Sequence, residues 1–207
     1  MPSVNQFEQR ASFSRRQLQL LDAAVRLVDR VGIGGFTMRS LAAEVSLSPM
    51  AAYKHFENQR ALQLQVFSAC QSRLYDALLE ATDEPPDPAT AFLRFCRTFV
   101  EHAVRYPYRY ELLYNHPFVH EIRQVPELEQ LRQSVWTYAL ELVSRARKAG
   151  LFRDDLSAEL LSSAAASHIR GLASVIIYQS SEPVPLEEAH ASIESGMAFL
   201  REGLMAR

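Results

Sequence analysis

The chain contains three closely spaced residues of types that commonly cap helices: Thr37, Ser48 and Asn58. The side chain of each can accept a hydrogen bond from an exposed amide at the start of a helix. Pro49 follows Ser48 at the first helical position, where a missing N–H has no cost. Three helices must therefore start in quick succession, and the first two are short. Helices this short bury little surface by themselves, so longer helices must hold them in place.

A longer amphipathic helix is predicted just before this stretch. Its apolar residues recur three and four residues apart, which places them on one face; they are Leu18, Leu21, Val25 and Val28. Ser14 and Gln17 form a capping box at its start, and the glycines of residues 32–35 end it. Two short helices joined by a tight turn after a longer helix are typical of a helix-turn-helix unit.

The remainder of the chain also has helical periodicity. A long helix starts at Asn58 and ends before the proline-rich residues 83–88. Further helices are expected at about residues 89–105, 107–115, 126–149, 157–178 and 186–205. No segment alternates with a period of two for long enough to form a strand. The sequence therefore predicts an all-α protein of about nine helices.

Charge is distributed unevenly along the 207 residues. Residues 1–60 contain eight Lys/Arg and five Asp/Glu, whereas the remainder contains 14 and 19. This asymmetry favours an anionic partner bound at one end. The chain has neither a signal-like N-terminus nor an evident membrane segment, so we expect a cytoplasmic protein without membrane contact. Cys70 and Cys96 fall within helical patterns and are expected to be buried.

The segment TMRSLAAEVSLSPMAAYKHFENQRAL, residues 37–62, resembles the DNA-binding signature of the tetracycline-repressor (TetR) family. The shared features are the capping threonine with an arginine two residues later, the Leu-Ala pair, the Val-Ser-Leu-Ser turn, the Tyr-Lys-His-Phe run and the closing Ala-Leu. The resemblance implies a flexible arm at residues 1–13 and a three-helix DNA-binding domain at 14–60. It also implies a C-terminal helical domain at 61–207 that binds a small ligand and dimerises.

The chemistry of this segment suits double-stranded DNA. Met50 and Ala51 are short or apolar enough to face base edges, where contact with thymine methyl groups is available. Tyr53, Lys54 and His55 offer donors to phosphate. With Arg15 and the helix starts included, the expected DNA-binding residues are Arg15, Thr37, Arg39, Ser48, Pro49, Met50, Ala51, Tyr53, Lys54 and His55.

Two positions depart from the family pattern. Gln59 stands where a lysine usually follows the capping residue and resembles a phosphate contact, and the neighbouring Arg60 can compensate for the missing charge. Ser46 stands in the turn where glycine is usual.

The last two predicted helices carry an apolar stripe with small residues beside it. Two explanations stay open for this stripe: an intersubunit four-helix bundle, which we favour, or the core of a single chain. The residues assigned to the dimer interface are Leu161, Ala165, Leu172, Val175, Ile193, Met197 and Leu200.

Aromatic residues and histidines between residues 102 and 168 are candidates for a ligand pocket, because such cavities combine apolar walls with a few polar groups. Plain core packing is the alternative for each of them. The candidates are His102, Tyr106, Tyr110, Tyr114, Trp136, Tyr138 and His168. No metal site and no cofactor are expected, because the histidines lack paired ligand spacing.

These features favour a one-component transcription regulator, a repressor that binds a palindromic operator as a homodimer and is released by a small-molecule effector. An activating or ligand-independent regulator of the same fold is an alternative. An all-α ligand-binding protein or enzyme is another, but no nucleophile, base or metal constellation supports it.

Overall fold

The structure, a computed structural model, describes residues 13–180 and 182–206. The predicted arm therefore lies outside the described residues, apart from Phe13. The described residues form ten α-helices and one π-helical turn, which confirms the all-α prediction. The helices are α1 (Arg15–Val31), α2 (Met38–Glu44), α3 (Pro49–Tyr53), α4 (Gln59–Ala81), α5 (Pro88–Arg105), α6 (Pro107–Tyr110), α7 (Phe118–Ile122), α8 (Pro126–Lys148), α9 (Ala158–Tyr178) and α10 (Leu186–Leu204), with the π turn at Glu111–Asn115.

Helix α1 begins and ends at the residues that the sequence indicates. The Ser14 hydroxyl accepts a hydrogen bond from the Gln17 backbone N–H at 3.3 Å, and Gln17 Oε1 accepts one from the Ser14 N–H at 2.9 Å. Gly32 ends the helix with a φ of 66°, in the left-handed region that favours glycine. The Tyr108 ring lies 3.2 Å from where a Cβ at Gly32 would stand, so a side chain there would also be crowded.

The segment after Pro107 differs from the single helix expected at residues 107–115. It consists of α6 followed by the π turn, in which the His116 N–H donates to the Glu111 carbonyl oxygen at 2.8 Å. The short helix α7, which the sequence analysis did not predict, follows. A π turn widens the helix by one residue per hydrogen bond, and such turns are frequent at functional sites.

The chain divides into two compact units. The first comprises the chain up to Ser72 and residues 108–131, and the second comprises residues 73–107 and the chain from Arg132 onward. One division falls within α4, and residues 108–131 belong to the first unit although they follow it in the chain. The domain boundary expected after residue 60 stays a prediction.

The core of the second unit lies where α9 and α10 pack on α5. Phe92 of α5 contacts Phe152 edge to face, with ring centroids 5.8 Å apart. Helix α9 is long and apolar enough to cross a membrane by length and composition alone. Core helices of soluble proteins pass the same test, and α9 is packed against two other helices of its unit.

Cys70 and Cys96 are fully buried, as predicted. Burial raises the pKa of the Cys96 thiol well above its ordinary value, because the thiolate loses hydration.

Candidate nucleic-acid interface

Helix α2 forms the base of the helix-turn-helix and is fixed by a second capping box. Thr37 Oγ1 accepts a hydrogen bond from the Ser40 N–H at 3.0 Å, and Ser40 Oγ accepts one from the Thr37 N–H at 2.9 Å. Met38 and Leu41 on its inner face are almost completely buried. Arg39, between them, is exposed. The helix is therefore anchored on one side, while its start and its arginine face solvent.

The turn between α2 and α3 keeps the backbone shape that a glycine would adopt. Ser46 has a φ of 54°, which is the left-handed region and is costly for a residue with a Cβ. The turn is closed by a hydrogen bond from the Leu47 N–H to the Ala42 carbonyl oxygen at 2.8 Å. The departure from the family pattern at Ser46 therefore leaves the turn geometry in place and adds strain to it.

Replacing Ser46 with glycine is expected to stabilise the protein by about 1 kcal/mol, because relief of the left-handed strain outweighs the greater freedom of glycine in the unfolded chain. For a chain of this size the melting temperature would rise by about 2–4 °C. The control is Ser46→Ala, which keeps the strained backbone and should leave the melting temperature unchanged. A lower melting temperature for Ser46→Gly would contradict this account of the turn.

Helix α3 is the most exposed of the three N-terminal helices. Ser48 Oγ accepts a hydrogen bond from the Ala51 N–H at 3.2 Å, which fixes the helix start. Ala52 is its one buried residue, whereas Met50 is 72% exposed and Tyr53 is 46% exposed. Most of the Met50 side chain is therefore open to solvent in the described part of the chain. Helix α3 therefore exposes one apolar side chain, Met50, and one phenol, Tyr53, to solvent.

The DNA-binding residues predicted from sequence occupy a largely exposed surface, and their contacts with DNA stay predictions. Ala51 and His55 are half-buried. The remaining members of the set are exposed: Arg15, Thr37, Arg39, Ser48, Pro49, Met50, Tyr53 and Lys54. No described hydrogen bond or ion pair engages the side chains of Arg39 and Lys54, which are therefore available to phosphate.

Two glutamines support this surface, and the sequence analysis gave neither of them this role. Gln17 Nε2 donates to the His55 carbonyl oxygen and Gln59 Nε2 donates to the Phe36 carbonyl oxygen, both at 3.2 Å. Gln17 had been recognised as a capping residue, and Gln59 as an exception to the family pattern. The departure at Gln59 was the sequence signal for a different role, because a glutamine in place of the usual lysine can bond within the chain instead of contacting phosphate.

A partly buried ion pair joins two segments of the first unit. Asp29 of α1 accepts two hydrogen bonds from the Arg109 guanidinium of α6, each 2.6 Å long. Arg109 is 7% exposed, so the pair lies in a region largely shielded from water. Such a bidentate pair fixes both position and angle. The sequence indicated this segment only as part of a candidate pocket, and the pair was not predicted.

The predicted pocket residues fall into several contact groups. In the first unit, the rings of Tyr110 and Tyr114 lie 5.4 Å apart. In the second, His102 contacts Tyr106 at 5.0 Å, and the Tyr138 hydroxyl lies 2.7 Å from Thr82 Oγ1.

The last two members of the predicted set differ from the others in their surroundings. His168 Nε2 lies 2.8 Å from the Gly196 carbonyl oxygen, and its ring stacks on Phe199. Trp136 is partly exposed, at 38%. No described contact gathers all seven residues, so their shared role in binding a ligand stays a prediction.

An open groove of about 820 Å³ lies in the second unit between α5 and α10. Arg97 crosses it to bond Glu194, with one N–O distance of 3.0 Å, and Arg94 and Arg201 line it. None of the seven predicted pocket residues lines this groove.

The apolar stripe assigned to the dimer interface is mostly covered within the single chain. Leu161, Ala165, Ile193, Met197 and Leu200 are at most 6% exposed. The residues face inward because α9 and α10 pack on α5 and on each other. Packing within the core of a single chain therefore accounts for the burial of these five residues.

The outer face of the same two helices exposes other apolar residues. Of the stripe predicted from sequence, Val175 lies on this face, at 67% exposed, while Leu172 is half-buried against Gly196. We call the outer face the apolar face; its exposed members are Leu160, Val175, Tyr178 and Phe199. A dimer surface on these helices stays a prediction and must use this face.

Comparison with known proteins places the N-terminal region in a family. Residues 20–66 match the sequence model of the bacterial regulatory proteins of the tetR family. The match includes most of α1, all of α2 and α3 and the start of α4. A relative in Bacillus subtilis (strain 168), the uncharacterized HTH-type transcriptional regulator YobS, is 23% identical over 95 residues, which is 46% of this chain and 49% of the relative. The alignment therefore spans about half the length of that relative.

Solved structures show a similar fold along nearly the whole chain. A TetR family transcription regulator from Marinobacter aquaeolei VT8 has a TM-score of 0.68 at 21% identity, covering 97% of this chain and 100% of that one. The ketosteroid transcriptional regulator KstR2 of Mycobacterium tuberculosis has a TM-score of 0.70 at 14% identity, covering 95% and 98%. At such identities the similarity concerns the fold alone. The helix-turn-helix region, residues 20–66, is therefore similar to the tetR family of bacterial regulatory proteins, and the chain shares its fold with solved structures of TetR family regulators.

Proposed function

We propose that the protein is a cytoplasmic one-component transcription regulator, a repressor that binds a palindromic operator as a homodimer and is released by a small molecule. The observation that carries the DNA-binding part is helix α3, which packs on α2 and exposes Met50 and Tyr53, with Lys54 exposed directly after its last residue. A helix enters the major groove only when its outer side chains are available to bases and its flanks offer donors to phosphate.

Dimerisation is supported by the apolar face. Large apolar side chains on one side of two adjacent helices favour association, because association removes them from water. A two-fold pair of recognition helices matches the two half-sites of a palindrome. The close approach of α9 and α10 gives this face a fixed shape, since a Cβ at Gly196 would stand 2.4 Å from a Leu172 methyl carbon.

The effector response is supported by an unsatisfied polar group on α4. Gln71 is 1% exposed, and both amide atoms of its side chain are buried without a hydrogen-bond partner among the residues that the structure describes. Burying an amide in this way costs stability, and such groups are retained where a ligand or an ordered water satisfies them. An effector with adjacent donor and acceptor groups would satisfy both atoms of Gln71.

Replacing Gln71 with leucine is expected to stabilise the ligand-free protein by about 1–3 kcal/mol, because leucine fills a similar volume without an unsatisfied polar group. The gain corresponds to a rise of roughly 5 °C in the melting temperature. Differential scanning calorimetry measures it, with the half-buried Gln63→Leu as a control that should show no gain. A fall in melting temperature for Gln71→Leu would mean that the amide is satisfied within the folded chain.

Salt dependence of binding tests the DNA-binding proposal without knowledge of the operator. Purified protein is titrated into fluorescent random-sequence duplex DNA at a series of salt concentrations, and the anisotropy is recorded. Binding through phosphate contacts predicts that affinity falls steeply as salt rises, because each contact releases condensed counterions. An association that does not change with salt would contradict the proposal.

A further inference from the structure

The side chains of Gln17 and Gln59 bond the helix-turn-helix region at two of its backbone carbonyls. The Gln17 amide donates to the carbonyl oxygen of His55, just after α3, and the Gln59 amide donates to that of Phe36, just before the cap of α2. Both hydrogen bonds are 3.2 Å long and partly buried. Partial burial protects them from exchange with water and strengthens them.

The hydrogen bonds of Gln17 determine which of its amide atoms faces which partner. Gln17 Oε1 accepts from the Ser14 backbone N–H at 2.9 Å and lies 3.0 Å from the Ser14 hydroxyl. A backbone N–H can only donate, so the atom that faces it must be the oxygen. The nitrogen is then directed at the His55 carbonyl, which can only accept. One side chain therefore caps α1 and also holds the segment that follows the recognition helix.

The Gln59 amide is bonded within the chain, because its Nε2 donates to the Phe36 carbonyl oxygen at 3.2 Å. Phe36 is almost completely buried, at 1% exposed, and directly precedes Thr37. A hydrogen bond to its carbonyl oxygen therefore links the first turn of α4 to the start of α2.

We propose that Gln17 and Gln59, which we call the glutamine clamp, are positioning residues for sequence-specific DNA recognition. The proposal rests on the proposed DNA-binding function and names residues that act on it without contacting a base. The clamp fixes the segments before α2 and after α3, and thereby the angle at which Met50 and Lys54 are presented. Base readout depends on side-chain placement within about half an ångström, whereas attraction to phosphate tolerates more movement. The clamp therefore serves discrimination between sequences more than overall attraction to DNA.

Two substitutions remove the donors while keeping the size of each side chain. Gln17→Glu retains the oxygen that caps α1 and loses the donor to His55. Gln59→Met retains the length of the side chain and loses the donor to Phe36. The matched controls are Gln19→Glu, which adds the same charge to an exposed position of α1, and Gln63→Met on α4.

The measurement is the ratio of the affinity for the operator, recovered by selection from random DNA, to the affinity for random duplex. Each clamp substitution is expected to lower this ratio at least about fivefold, the equivalent of one hydrogen bond, while both controls stay near the wild-type ratio. Gln59→Met should leave the slope of affinity against salt unchanged, since it alters no phosphate contact. Melting temperatures are measured in parallel, and binding is compared at temperatures where every variant is fully folded.

Three results would contradict the proposed role of the glutamine clamp. If both clamp variants have ratios of operator affinity to random-duplex affinity within twofold of wild type, the role is wrong while DNA binding by the protein stands. Equal losses of specific and non-specific affinity, in step with a lower melting temperature, would show that the two glutamines only stabilise the fold. A wild-type protein that selects no sequence would remove the proposed function, and the clamp with it.

Discussion

Replacing Asp29 with alanine is expected to lower the free energy of unfolding by about 3 kcal/mol, because the largely buried Arg109 loses both hydrogen bonds of a bidentate ion pair. Arg109 would then remain buried beside a cavity where it now makes two hydrogen bonds of 2.6 Å to Asp29. The melting temperature should fall by roughly 10 °C. Thermal unfolding followed by circular dichroism measures this change.

The ion pair between Arg30 and Glu44 provides the control, because it is of similar length, 2.6 Å, but its arginine is 59% exposed. Glu44→Ala is expected to cost at most about 1 kcal/mol, since exposed pairs contribute little. A double variant with Asp29→Leu and Arg109→Met should recover most of the lost stability, because a buried ion pair can be replaced by apolar residues of similar volume. An Asp29→Ala protein as stable as the wild type would show that Arg109 is adequately hydrated in the folded state.

Replacing Lys54 with alanine is expected to weaken operator binding about tenfold or more at moderate salt, because a dimer loses one phosphate contact in each half-site. The slope of the logarithm of affinity against the logarithm of salt concentration should fall by about 2. Tyr53→Ala should also reduce affinity, but with little change in slope, since a phenol carries no charge. Fluorescence anisotropy with the selected operator measures both effects.

Lys148→Ala is the control for Lys54→Ala, because Lys148 is an exposed lysine at the end of α8 in the second unit. It should leave affinity and slope unchanged, and sedimentation should find the same oligomeric state for all variants. Operator affinity that is unchanged in both Tyr53→Ala and Lys54→Ala would mean that α3 is not the recognition helix. Substitutions at Met50 should instead change which bases are preferred.

Local chemistry explains why the helix starts were predictable from the sequence. Ser14, Thr37 and Ser48 each cap the helix that directly follows, and each interaction involves residues at most three apart. Such short-range hydrogen bonds depend on the identity of neighbouring residues alone. Ser46 was recognised from the sequence only as a departure from the family pattern, and its glycine-like backbone, with a φ of 54°, is a finding of the structure.

Contacts between distant residues were not predictable in this way. Asp29 and Arg109 are separated by 80 positions, and nothing in either local pattern indicates the other. The glutamine clamp also depends on contacts between residues that are far apart in sequence, since Gln17 and His55 meet only in the folded chain. Each of these side chains also has an ordinary role on a helix surface, which local sequence cannot distinguish from a tertiary contact.

The orientation of α9 and α10 was ambiguous for a different reason. Both faces of these helices carry apolar residues, so periodicity identifies a stripe without indicating what covers it. Leu160 and Leu161 are adjacent in sequence, yet Leu160 is 59% exposed and Leu161 is 2% exposed. Only the packing on α5 determines which of them faces inward. The stripe chosen from the sequence was mostly the inner one.

Selection of bound fragments from random duplex DNA, with the purified protein at moderate salt, tests the central claim most directly. Sequence-specific binding by a two-fold dimer predicts enrichment of an inverted repeat whose half-sites are about one helical turn, or a multiple of it, apart. Retention of DNA without any enriched sequence, or no retention at all, would contradict the assignment of α3 as a recognition helix that reads a palindromic operator.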